Sequence, residues 1–137
     1  MIAIFYNLDR TANVRYDSTS RTVFRPILGD PSINHEIVFG PDIFPGTAVA
    51  DPNACLSFRA AAAHELAHKS RHDNLTEIDE VELEDIDEAL TSLAAILQFH
   101  GELSAHEIRE LIADANQRLM MFVAAYRDRV AAAGVAE

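Results

Sequence analysis

His64 and His68 stand four residues apart, with Glu65 directly after the first, in the segment His64-Glu65-Leu66-Ala67-His68. On an α-helix a four-residue step puts both imidazoles on one face, where they can bind one metal ion together. From its own position the Glu65 carboxylate can reach a water on the open side of that ion and act as general base, which is the mechanical reason for an HExxH spacing. The segment therefore predicts a Zn2+ site with His64 and His68 as ligands and Glu65 as base. An open catalytic zinc site needs a third protein ligand, which two histidines on one helix cannot supply.

Carboxylates are abundant nearby, since Glu77, Asp79, Glu80, Glu82, Glu84, Asp85, Asp87 and Glu88 crowd one short run. For most of them the ordinary reading holds: a solvated face beside the positive N-terminus of a helix. Glu84, Glu88, Thr91, Ser92 and Ala95 nevertheless share a small, polar strip opposite a leucine stripe, and such a strip can lie against an alanine-rich helix and bring a carboxylate to the histidines. The HELAH segment followed, twenty positions after His68, by Glu88 within Asp87-Glu88-Ala89 resembles the gluzincin class of zinc metallopeptidases, which includes the thermolysin-like enzymes. The resemblance implies a zincin-like α+β architecture, hydrolysis of peptide bonds, and Glu88 as third ligand, with Glu84 one turn earlier as its substitute.

That resemblance covers residues 51–99 and departs from the thermolysin pattern at Ser92. Thermolysin-like enzymes carry there an aspartate that orients a metal-bound histidine, so another acceptor is needed here. The missing large second subdomain sets a second reading beside the peptidase, that of a catalytically silent zinc-containing binding or regulatory module. His72 continues the four-residue series, but on a straight helix it stands about 12 Å from His64 at a rise of roughly 1.5 Å per residue, too far for one ion. Only a helix ending at His68 would let His72 or Asp73 fold back. A proton donor or oxyanion partner is expected among His35, His100, His106, Tyr6, Tyr16 and Tyr126, and the sequence does not choose.

The elements that must hold these residues divide the chain in two. Residues 1–50 carry most of the Gly and Pro and short β-type runs at Ala3 to Tyr6, Thr22 to Phe24 and Glu36 to Phe39, which predicts a small sheet of three or four strands. Asp17-Ser18-Thr19-Ser20 suits a hairpin loop, and Asp30-Pro31 and Pro45-Gly46 punctuate the rest. Residues 51–137 are helical in pattern. Asp51-Pro52 offers an N-cap and first-turn proline for a helix running to about His72, with Cys55 a small buried hydrophobe in it. A second helix is expected from near Thr76 to about Phe99, its stripe of Leu83, Ile86, Leu90, Leu93 and Leu97 packing on a third helix. That third helix opens on the capping-box pair Ser104 and Glu107 and carries Leu111, Leu119, Phe122 and Tyr126. A strand from the Ile37 to Phe44 region is expected to line the cleft.

The expected whole is one zincin-like α+β domain over residues 1–137. Its 49% hydrophobic and 24% charged residues suit a globular fold rather than a disordered or fibrous one. Eleven basic against twenty-two acidic residues give a formal charge of -11, which excludes nucleic acid and anionic membrane surfaces as natural partners. No apolar run reaches the roughly 18–20 residues of a membrane helix, the first residues lack the basic start of an export signal, and a single cysteine asks for no oxidising compartment. A cytoplasmic protein acting on a peptide or protein substrate is expected, its C-terminal helix available to a partner or a second copy.

Overall fold

The computed structural model describes residues 2–29, 33–43 and 56–134. In chain order these form α1 (Ile2–Leu8), β1 (Val14–Tyr16), β2 (Val23–Pro26), β3 (His35–Phe39), α2 (Phe58–Asp73), α3 (Glu84–Phe99) and α4 (Ala105–Ala132), with short 3-10 turns at Pro41–Ile43 and Val81–Leu83. The fold is α+β: a three-stranded sheet and four helices among the described residues.

The first departure from expectation is α1, which the run Ala3 to Tyr6 had marked as a strand. Ile4, Phe5 and Leu8 recur at helical rather than alternating spacing and all face the core. Phe5 is fully buried, stacked on Phe39 at 5.7 Å and edge-on to Phe58 at 6.0 Å. Asp9 then ends the helix by accepting from the Thr11 N–H and hydroxyl, and Lys69 of α2 holds its other oxygen at 2.9 Å.

The strands are ordered β1-β3-β2, with β1 parallel and β2 antiparallel to β3. Asp17 to Ser20 is therefore not a hairpin loop. It is a crossing that carries the chain past the end of β3, from one side of the central strand to the other. The passage is tight at Gly40, where an added Cβ would lie 1.8 Å from the Ser20 carbonyl oxygen. Thr22 anchors the far side, its N–H and hydroxyl both donating to Asp42.

α2 begins at Phe58 rather than near Asp51, because Ser57 is extended and its side chain accepts from the Ala60 N–H. The Asp51-Pro52 cap, Cys55, Asp30-Pro31, Pro45-Gly46 and Phe44 lie outside the described residues. Ala60 to Ala67 are all buried, so this segment is sheathed on every side, and small residues let its neighbours approach closely. Its end at Asp73 is followed by Leu75 in a left-handed conformation (φ 56°).

The chain then runs without helix to Glu80, so α3 starts about two turns later than expected. Its polar strip lies against α2 as expected, but its leucine stripe is not buried. The polar strip is the buried face, with Asp87, Ala89, Thr91, Ser92 and Ala95 turned inward, while Leu90, Leu93 and Leu97 are exposed. The leucine stripe, expected to pack on α4, thus leaves these three side chains at least 40% exposed. The reason is electrostatic: α2 and α4 present His64, Arg71, Asp114 and Arg118 to α3, and these need polar partners. α4 opens on the full capping box of Ser104 and Glu107 and buries Leu111, Asp114, Ala115 and Arg118, leaving most of its second half exposed. No helix among the described residues is long and apolar enough to cross a membrane.

Candidate metal centre

Helix geometry places His64 and His68 on adjacent turns of α2, their rings perpendicular with centroids 4.9 Å apart. α3 crosses beside them and delivers Glu88 between the two. His64 Nε2 lies 3.0 Å from Glu88 Oε2, and His68 Nε2 lies 3.3 Å from Glu88 Oε1. One ligand-type atom from each of the three residues fits within 4.8 Å of the others, the spread one cation can gather. The donor set, two imidazoles and one carboxylate, suits a borderline divalent metal such as zinc.

Each ring is held from behind as well. His64 Nδ1 donates to Ser92 Oγ at 2.8 Å, and Ser92 in turn donates to Asp114 of α4. His68 Nδ1 lies 3.7 Å from Glu77, whose other oxygen accepts from His72 Nδ1 at 3.3 Å. The Phe24 ring lies nearly parallel to His68, 6.4 Å away and inclined by 9°. Such backing orients imidazoles toward a metal and raises their basicity.

The electrostatics are strongly coupled. Burial is the largest influence on His68 and pulls its pKa down, yet Glu77 and Glu88 reverse it and carry the group up to about 10. Burial likewise opposes ionisation of Glu88, but hydrogen bonds from His64 and His68 take its pKa far below the usual carboxylate range. Glu65 behaves oppositely. Desolvation dominates and raises its pKa, although His68 and His64 draw it down in part. Glu65 therefore has a raised proton affinity, as a base at this position requires.

Glu65, His68 and Glu88 line one wall of a cleft of about 860 Å³. The opposing rim is β2, from Val23 to Pro26, together with the crossing before it. β2 is an edge strand among the described residues, because β3 pairs with one side of it only. The strand lining the cleft is thus β2 and not the Ile37 region, since β3 is the central strand and Ile37 is fully buried.

The other sequence candidates fall elsewhere. Glu84 lines the cleft but stands outside the three-residue group, and His72 is occupied with Glu77. Asp73 lies in a separate, smaller depression with His35 and Lys69. His35 accepts from the Asn13 N–H there. His100 and His106 are exposed, His106 beside Glu110 at 2.9 Å, and neither they nor Tyr6, Tyr16 or Tyr126 line the cleft. Arg118 does line it, 3.3 Å from Glu88, and is the cationic group that sequence reasoning missed. Asp114 and Arg118 were detectable in principle: with Leu111 and Ala115 they follow the spacing of the inward stripe of α4, where charges stand out.

The class these features define is an α+β protein with a His-His-Glu cluster, two members of which, His68 and Glu88, line an open cleft. Comparison of the chain with family models, with curated proteins and with solved structures finds no match.

Proposed function

We propose that the protein is a small zinc-dependent metallopeptidase of gluzincin type, built on a zincin-like arrangement of sheet and helices, with His64, His68 and Glu88 as ligands and Glu65 as general base. The observation that carries this reading is the approach of both Nε2 atoms to one Glu88 carboxylate beside a buried, proton-hungry Glu65. A zinc ion held there supplies a Lewis acid that lowers the pKa of water toward about 7 and polarises a substrate carbonyl.

The chain's own residues do the rest. Glu65 takes the proton of the attacking water at its carboxylate and passes it to the leaving amine. The open edge of β2 pairs with the backbone of an extended peptide, as sheet edges do, and lays it across the cleft. Glu77, Asp79, Glu84 and Asp85 line the cleft near the start of α3, and Arg21 and Arg25 line it at the sheet. A peptide crossing the cleft therefore meets opposite charges on its two sides.

The test is zinc content by elemental mass spectrometry joined to cleavage of a mixed peptide library with and without chelator. About one zinc per chain is expected, lost in His68→Ala. Glu65→Gln should keep the zinc and lose at least about 100-fold in cleavage rate. A chain that neither holds nor takes up zinc ends the reading, and undiminished turnover in Glu65→Gln removes that residue from the mechanism. Zinc without chelator-sensitive cleavage would favour the silent binding module instead.

A further inference from the structure

Two charged residues of α4 are buried without an obvious gain in stability. Asp114 is 3% and Arg118 7% exposed, on a face whose other members are Leu111 and Ala115. A buried ion pair rarely stabilises more than apolar side chains of the same volume, because both charges lose their water. The pair is also incompletely satisfied, since Asp114 Oδ1 has no hydrogen-bond partner among the described residues. An arrangement that costs stability calls for another explanation.

Its other oxygen supplies one. Asp114 Oδ2 accepts from Arg118 Nε at 2.9 Å and from the Ser92 hydroxyl. A carboxylate paired with a guanidinium only accepts, so the single hydroxyl proton of Ser92 is committed to Asp114. The lone pairs of Ser92 Oγ then face His64 Nδ1 at 2.8 Å, and that nitrogen must carry a hydrogen to meet them. With Nδ1 engaged as a donor, Nε2 is the ring nitrogen left to offer a lone pair to a metal ion, and it lies on the Glu88 side of the ring, 3.0 Å from Oε2. Arg118 reaches the same place from the other direction, its Nη1 3.3 Å from Glu88 Oε2.

We propose that Asp114, acting through Ser92, and Arg118 are positioning residues of the metal centre: the first two hold His64 with Nε2 free to bind metal, and the third steadies the Glu88 carboxylate. The carboxylate support that Ser92 cannot itself give comes from the next helix, one hydroxyl removed. This inference rests on the assignment of His64, His68 and Glu88 as ligands.

The experiment measures the zinc dissociation constant by chelator competition in the full chain and in Ser92→Ala, Ser92→Thr and Asp114→Leu. It also measures melting of each metal-free protein and the imidazole ¹⁵N shifts of His64 in the zinc-loaded state. Ser92→Ala and Asp114→Leu should each weaken zinc by about 10- to 100-fold. Ser92→Thr, which keeps the hydroxyl, should bind within about threefold of the parent, well short of that loss. The ¹⁵N shifts should report a protonated Nδ1 in the parent and an altered Nδ1 in Ser92→Ala. Asp114→Leu, which removes the acceptor at similar volume, decides the matter alone if Ser92→Ala does not fold. Unchanged zinc affinity in the folded variants, or equal losses in Ser92→Thr and Ser92→Ala, overturns the proposal and leaves the ligand assignment standing. A parent chain that binds no zinc overturns both.

Discussion

Replacing Arg71 by Met should cost the fold more than any surface substitution and should reach the proposed metal centre without touching it. Arg71, 7% exposed, leaves α2 beneath the loop that precedes α3. Its Nη1 donates to the Asp87 carbonyl and the Thr91 hydroxyl, both at 2.7 Å, and its Nη2 to the Thr76 carbonyl at 2.6 Å. Nη2 also meets Asp87 Oδ1 at 2.7 Å, and Asp87 is itself 8% exposed. Methionine fills the space but leaves the Asp87 carboxylate buried with the Ile78 N–H as its donor. Breaking one side of such a buried pair costs about 3–5 kcal/mol. Against a total of about 5–15 kcal/mol that is a large share, and for a chain of this size it lowers Tm by about 10–20 °C. Thr76 and Ile78 flank Glu77, so loosening them should also release Glu77 from His68 and weaken zinc about tenfold. Melting followed by far-ultraviolet circular dichroism, with chelator and with zinc, measures both effects. Arg71→Met with Asp87→Leu should recover part of the loss, since the stranded charge is gone. A single-variant loss below about 1 kcal/mol, no larger than an ordinary substitution, would refute the argument that this guanidinium clamps α2, the loop and α3 together.

Two further outcomes follow from the geometry. In chelator-treated protein, His68 has its folded pKa raised from 6.5 to about 10, so its stabilising contribution is complete below pH 6.5 and disappears as pH rises through 10. The urea midpoint should therefore fall between pH 6 and pH 10, and a flat profile, or one that rises, would contradict the site's electrostatics. Gly40→Ala should destabilise by about 3 kcal/mol or more, because the new methyl meets the Ser20 backbone and the crossing into β2 must shift. A melting temperature within 2 °C of the parent, about what 0.5 kcal/mol would give, would show that the crossing yields easily.

What the sequence made legible was local. The capping box at Ser104 and Glu107, the strand around Glu36 to Phe39 and the helix bearing His64 and His68 all depend on neighbours within a turn or a few residues, and all are present. α1 was misread because Ala3 to Tyr6 is too short for its period to show, and tyrosine, phenylalanine and isoleucine favour strands only when a strand is there to pair with them. In the structure Phe5 finds Phe39 and Phe58 instead of a ladder. The order β1-β3-β2 was hidden for a similar reason. Turn residues at Asp17 to Ser20 announce a change of direction, and only the contact of Ser20 with Gly40 says that the chain crosses over β3 rather than folding back.

The candidate site divides along the same line. Two candidate histidine ligands and a candidate base can be read from a five-residue segment because helical spacing fixes their geometry. Glu88 needed the juxtaposition of two helices, and a resemblance supplied the choice that periodicity alone left open between it and Glu84. The α3 strip misled in one respect, since five apolar residues at helical spacing looked like a core face, yet the leucines stayed outside. Burial there follows the partners: Thr91 bonds Arg71, Ser92 bonds His64 and Asp114, and Asp87 bonds Arg71 and Ile78, so a polar face could be sunk without orphaned donors. Three helices each contribute charges that would be costly alone and are tolerable only together. That mutual dependence explains why the Ser92–Asp114–Arg118 support was not legible earlier. It also means that the centre and the α2–α3–α4 packing are one construction, so a change made at Asp114 to alter metal binding is at the same time a change to the interior of the helical layer.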